Sequence, residues 1–131
     1  MSYKCCGDGV IETKGPFGCR EASLKEAVEG KSSFCLGRGD DGSFFLKKDH
    51  AYFYQVQAQI LLCKIDFCDF IIYSKRDIVI LRILPEHEFI KAVIADVTTF
   101  FKFAVLPEIV GKYFSKSFQE RIACEANLLI T

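Results

Sequence analysis

Asp49-His50-Ala51-Tyr52-Phe53-Tyr54-Gln55-Val56-Gln57-Ala58-Gln59-Ile60-Leu61-Leu62-Cys63 can be read in two ways, and the fold turns on the choice. Glutamines at 55, 57 and 59 alternate with apolar neighbours, which is the period of a strand with one wet face. Gln55 and Gln59 also fall one helical turn apart, and a run of about 14 residues without a turn former is long for a strand. Length favours a helix, capped by Asp49.

The flanks supply the strands. Downstream, Phe67 to Tyr73 and Asp77 to Ile83 are rich in β-branched and aromatic residues and surround Ser74-Lys75-Arg76, predicting an antiparallel hairpin. Pro85 then opens a long amphipathic helix. Its stripe runs through Phe89, Ile90, Val93, Ile94, Val97, Phe100, Phe101, Ala104 and Val105, with a bend expected at Pro107. From Lys112 to Thr131 a weaker pattern (Tyr113, Phe114, Phe118, Ile122) predicts an added helix. Upstream, Phe34-Cys35-Leu36 and Ser43-Phe44-Phe45-Leu46 flank Gly37-Arg38-Gly39-Asp40-Asp41-Gly42, a hairpin loop. The Arg-Gly-Asp inside it reads as part of a glycine-rich turn. Ser23 begins a short helix to Glu29, with Glu26 completing a capping box and Gly30 ending it. Gly9-Val10-Ile11-Glu12-Thr13-Lys14 is a strand bounded by the Asp8-Gly9 turn and by Gly15-Pro16. The class is α/β, in one domain.

Composition removes several functions. The chain has 131 residues, 17 Lys+Arg against 17 Asp+Glu, and 50% hydrophobic residues. That is one domain able to bury a core, and neither a disordered chain nor a simple polycation. The most apolar long stretch, Val93 to Leu106, is broken by Asp96 and Lys102 and falls short of the ~20 residues a bilayer needs, so no membrane is expected. The start lacks a secretory pattern and the cysteines number seven, an odd count, so reduced thiols and an intracellular location are expected. Cys63 and Cys68 read as small buried hydrophobes. Adjacent Cys5 and Cys6 cannot easily turn both sulfurs to one metal, which disfavours a zinc site with Cys19.

Chemistry enters at Glu12-Thr13-Lys14. On a strand, Glu12 and Lys14 share a face, setting a carboxylate beside an ammonium. The carboxylate and the Thr13 carbonyl are hard oxygen ligands suited to Mg²⁺ or Mn²⁺. Such an ion polarises a phosphoryl oxygen and acidifies bound water, while the lysine neutralises developing charge. Taken alone, the triplet reads most simply as a surface ion pair.

Context adds weight. Glu12-Thr13-Lys14-Gly15-Pro16-Phe17, His50-Ala51-Tyr52-Phe53-Tyr54-Gln55-Val56-Gln57, Phe67-Cys68-Asp69-Phe70 and Leu106-Pro107-Glu108 occur in that order. The series resembles the YqaJ-like viral recombinase domain, a branch of the phage lambda-type exonucleases within the PD-(D/E)xK nuclease superfamily. The resemblance spans roughly residues 8–114 and makes residues 1–114 a partial domain of that kind, with 115–131 a helical extension. It implies a restriction-endonuclease-like core, a mixed β-sheet flanked by helices. It also implies Mg²⁺- or Mn²⁺-dependent hydrolysis of DNA, from duplex ends, in recombination or repair. By the same resemblance Glu12 is a metal ligand with the Thr13 carbonyl, and Lys14 is the catalytic lysine. Gln55 orients that lysine and contacts substrate, Tyr52 lies on the same helix face, and Arg20 faces the DNA. The Tyr52–Gln55 spacing also favours the helix over the strand.

Two positions depart from the family pattern. Gly15 stands where relatives commonly carry cysteine. The Asp of the family's Pro-Asp motif, on the strand before Glu-x-Lys, has no counterpart, since Asp8 is ~13 Å along the strand from Glu12. The expectation is an N-terminally truncated domain, weak or inactive alone, with exposed apolar surface that invites a partner or a homo-oligomer. The alternative is a non-catalytic nuclease-fold module that binds DNA or a protein.

Overall fold

The computed structural model describes residues 7–115. Two compact units succeed one another along the chain, one reaching to Ile90 and the other starting at Lys91. The first carries a three-stranded mixed sheet ordered β1-β4-β5, formed by β1 (Gly9–Lys14), β4 (Phe67–Tyr73) and β5 (Ile78–Ile83). The class is α/β, as the pattern of elements predicts. β1 and β4 are parallel, Glu12 opposite Phe70 and Lys14 opposite Ile72, while β4 and β5 form the expected antiparallel hairpin. A parallel pair needs a long crossover. Here it contains α1 (Leu24–Gly30), a hairpin of β2 (Leu36–Arg38) and β3 (Phe44–Leu46), and α2 (Ala51–Cys63).

Local chemistry sets these elements. Ser23 accepts from the Glu26 N–H at 3.2 Å, and Glu26 reaches back to the Ser23 N–H at 2.8 Å, a complete capping box on α1. The Arg-Gly-Asp segment serves the β2–β3 turn: Gly39 N–H donates to Ser43 O at 2.8 Å, and Arg38 Nε to Gly42 O at 3.2 Å. Gly42 takes φ +81°, where a Cβ would be strained.

The Asp49–Cys63 segment is a helix, but Asp49 does not cap it. His50 is the N-cap, its Nδ1 accepting from Tyr52 N–H at 3.1 Å. Asp49 lies one residue too early for its carboxylate to serve. Phe53, Val56, Gln57 and Ile60 form the buried stripe of α2, spaced i, i+3, i+4, i+7. They pack with Cys68, Phe70 and Ile72 of β4 in the core that Leu24 and Leu36 complete. Cys68 is buried as expected. Cys63 is exposed instead, because it sits on the last turn of α2, beyond the buried stripe.

Gln57 explains why the segment looks like a strand. It is buried, donating Nε2 to Leu84 O and accepting from Glu86 N–H, both at 2.9 Å. It thus satisfies the backbone linking β5 to the next helix.

That helix, α3 (His87–Phe100), crosses from the first unit into the second. In the second unit the helical path widens into a π turn over Phe101–Val105 and resumes as α4 (Leu106–Gly111). Pro107, in the first turn of α4, can offer no N–H to the carbonyl of Phe103 four residues back, which accounts for the wider turn. Lys112 closes α4 in the left-handed conformation. Of the helix expected from Lys112 to Thr131, residues 113–115 form a turn and the rest lies outside the described residues. No helix of the described residues is long and apolar enough to cross a membrane.

Candidate functional site

Alternation along β1 turns Glu12 and Lys14 toward α2 and leaves Ile11 and Thr13 exposed on the other face. On α2 the stripe beside the core stripe carries Tyr52, Gln55 and Gln59, at i, i+3, i+7. Helix and strand thus bring their polar residues together at the rim of the core.

Three side chains close a ring. Lys14 Nζ lies 2.6 Å from Glu12 Oε1 and donates to Gln55 Oε1 at 3.0 Å, while Gln55 Nε2 donates to the same Glu12 Oε1 at 3.0 Å. Both charged side chains are less than one-fifth exposed, so water screens the pair only partly. Gln55 does not satisfy a buried backbone group; that task falls to Gln57.

A fourth member was missed by sequence reasoning. Gln59 Nε2 donates to Glu12 Oε2 at 2.8 Å, so each carboxylate oxygen accepts from a glutamine. The signal was present in the i, i+4 relation of Gln59 to Gln55 on a helix. The hydrogen bond from Gln59, followed by that from Lys14, holds the Glu12 pKa below its ordinary 4.5, against the opposing effect of burial.

Tyr52 joins this group, its ring centroid 4.6 Å from Lys14 Nζ, a cation–π contact. The same ring packs on His50 at 4.7 Å and on Phe70 at 6.0 Å. Arg20 is engaged elsewhere. Its guanidinium lies 4.3 Å from the Phe17 ring centroid and its Nε 3.3 Å from Glu21, in the exposed segment after β1. Thr13 lies opposite Ile71 on β1 with its side chain exposed. A Cβ at Gly15 would come 2.8 Å from the hydroxyl end of the Tyr73 ring, which is half exposed and free to give way.

Glu12 carries the hard anionic oxygens a divalent cation would use here, and both already accept hydrogen bonds, Oε1 beside the Lys14 ammonium. Gln59 turns its Nε2 to Glu12 Oε2, and the Oε1 at the other end of that amide is buried and without a hydrogen-bond partner among the described residues. Among the described residues no cluster of three or more His, Cys, Asp or Glu exists. Glu12 would be the ion's one anionic ligand among the described residues, with water and substrate phosphate filling other positions, a pattern common for Mg²⁺.

Next to this group a cavity of about 240 Å³ is lined by His50 and Tyr52 together with Lys31, Ser33 and Gly18. Tyr52, whose ring lies against the Lys14 ammonium, links this cavity to the Glu12 group. A larger groove of about 700 Å³, between β3 and β5, is lined by Phe44, Leu46, Phe53 and Leu81 and contains no member of the ring. The Glu12 group, built from charged and hydrogen-bonding side chains, is the better candidate for chemistry. No family model, curated protein or solved structure matches this chain.

Proposed function

We propose that the first unit is a metal-dependent nuclease-like module of the YqaJ-like kind, built on a restriction-endonuclease-like core and directed at phosphodiester bonds in DNA. The observation that carries this reading is the closed ring of Glu12, Lys14 and Gln55, with Tyr52 against the lysine. A surface ion pair needs no glutamine reaching over it from a packed helix. The order β1-β4-β5, with a parallel pair and an antiparallel third strand, supports the same core.

In this reading Glu12, with the Thr13 carbonyl, would hold Mg²⁺ or Mn²⁺, and the ion would supply Lewis acidity at the phosphate. Gln55 fixes the Lys14 ammonium beside the carboxylate, where it faces the negative charge that grows on the phosphate in the transition state. Lys31 and His50, in the cavity beyond Tyr52, suit a neighbouring phosphate of the strand. A single carboxylate at the metal makes turnover slow. Loss of several kcal/mol of transition-state stabilisation corresponds to about a thousandfold or more in rate.

The test is cleavage of linear duplex DNA with Mg²⁺ or Mn²⁺. Slow hydrolysis that requires the ion and drops at least about a hundredfold in Lys14→Ala is the expected result. Cleavage indifferent to Lys14 and to the cation would reject the reading. A second reading, a nuclease fold retained for binding DNA or a protein, is favoured by the exposed apolar face of the sheet, with Ile11, Ile78 and Ile80 each more than half exposed. It predicts salt-dependent DNA binding or a protein complex without cleavage.

A further inference from the structure

A buried polar atom without a partner is costly, and one next to a charged site calls for a function. Gln59 Oε1 is the atom that meets this description among the described residues. The amide that carries it is already engaged by its other end, since Nε2 donates to Glu12 Oε2 at 2.8 Å. The neighbouring Gln55 differs. Both ends of its amide are used, Oε1 by Lys14 and Nε2 by Glu12. Turning Gln55 over would break two bonds and turning Gln59 over one; either turn sets an amide oxygen against the Glu12 carboxylate unless a cation lies between them. Turning Gln59 over would also bring its orphaned oxygen round to the Glu12 side and leave its NH₂ in the buried position, so the ion must outweigh that exchange.

We propose that Gln59 is a cation ligand that switches ends: without a divalent ion its amide N–H caps Glu12 Oε2, and with the ion the amide turns so that Oε1 joins Glu12 in holding it. The arrangement lets the donor of Gln59 occupy the place of a positive charge until the cation takes it. A neutral amide oxygen is a recognised ligand type for Mg²⁺, Mn²⁺ and Ca²⁺, and rotation about the last side-chain bond leaves the helix and the core undisturbed. Gln59 also lies on the stripe of α2 that faces Glu12 rather than on the fully buried stripe of Val56 and Gln57. This inference rests on the proposed metal site but not on its catalysing anything.

The experiment is a Mn²⁺ titration of the full chain, free ion being counted by electron paramagnetic resonance. It is run on wild type, Gln59→Leu and Gln59→Glu, with the Gln59 side-chain amide followed by NMR during a parallel Mg²⁺ titration. Saturable Mn²⁺ binding is expected, weakened about tenfold or more in Gln59→Leu and tightened in Gln59→Glu, which offers an anionic oxygen at the same position. The Gln59 amide resonances should shift in step with Mg²⁺ occupancy, which a merely structural glutamine would not do. Equal affinity in all three proteins, or amide resonances that ignore Mg²⁺, would overturn the proposal. Mn²⁺ binding that depends on Gln59 without DNA cleavage would uphold it and reject the nuclease reading. Cation-dependent cleavage unaffected by Gln59→Leu would do the reverse. Absence of Mn²⁺ binding at millimolar concentration would overturn it as well.

Discussion

The two faces of the three-stranded sheet are made of the same kinds of residue and have opposite surroundings. Toward α2 lie Cys68, Phe70 and Ile72, all fully buried, with Glu12 and Lys14 at the margin of that contact. On the opposite face Ile11, Ile78 and Ile80 are each about 60% exposed, and Tyr73 is half exposed. One face has a helix over it and a polar ring at its rim; the other presents isoleucines to solvent, with the Asp69–Arg82 ion pair among them. The contrast teaches that hydrophobic residues alone do not decide which face of a sheet becomes a core. A packed partner does, and the chemistry collects where the partner's edge meets the strand.

The sharpest way to break that comparison is to truncate matched residues on the two faces. Phe70→Ala removes a fully buried ring between α2 and the sheet and should cost about 3–5 kcal/mol, measured by urea denaturation. Ile80→Ala, on the neighbouring strand but pointing the other way with 61% exposure, should cost less than about 1 kcal/mol. Comparable losses at both positions would mean that the second face is covered in solution, by another copy or another part of the chain.

How much of this was legible in the sequence follows from how local each signal is. The strand Gly9–Lys14, the capping box at Ser23 and the turn at Gly42 are set by residues within a few positions of one another, and each appears where expected. The helix at Ala51–Cys63 was ambiguous because its three glutamines all turn inward, each to a different partner: Gln55 to Lys14 and Glu12, Gln57 to the backbone at Leu84 and Glu86, Gln59 to Glu12. Periodicity counts them as solvent-facing and so misreads the face. The bare sheet face was illegible for another reason. Ile78-Val79-Ile80-Leu81-Arg82-Ile83 is apolar on both sides apart from Arg82, so alternation cannot say which side α2 covers. For the candidate site, Glu12, Lys14, Gln55 and Tyr52 converge, whereas Arg20 is occupied by Phe17 and Glu21. Gln59 was visible only once the helix was certain.

A second, smaller effect sharpens the comparison at the rim of the covered face. Glu12 has a pKa held below 4.5, chiefly by Gln59 and then by Lys14. A carboxylate whose folded pKa is depressed contributes stability that is full above the unfolded value and is lost as pH falls through the folded one. Acidification below about pH 4.5 should therefore destabilise wild type more than Glu12→Gln, so the difference between their unfolding midpoints narrows or reverses with falling pH. A pH-independent difference would show that the ring does not hold Glu12 ionised.

The smallest effect belongs to the exposed face. Asp69 and Arg82 stand opposite each other on β4 and β5 and form a two-pronged pair, with Nε and Nη2 each 2.8 Å from a carboxylate oxygen. The hydrogen bonds from Arg82 hold the Asp69 pKa down, and the guanidinium also lies 3.9 Å from the Phe67 ring centroid. Good geometry argues for a measurable contribution, yet Arg82 is about half exposed and water screens it. A double-mutant cycle on Asp69→Asn and Arg82→Gln should give a coupling of roughly 0.5–1 kcal/mol that shrinks in 1 M salt. A coupling of several kcal/mol, unmoved by salt, would instead place the pair in a desolvated setting. The isoleucine face around it would then be an interface in solution rather than a surface.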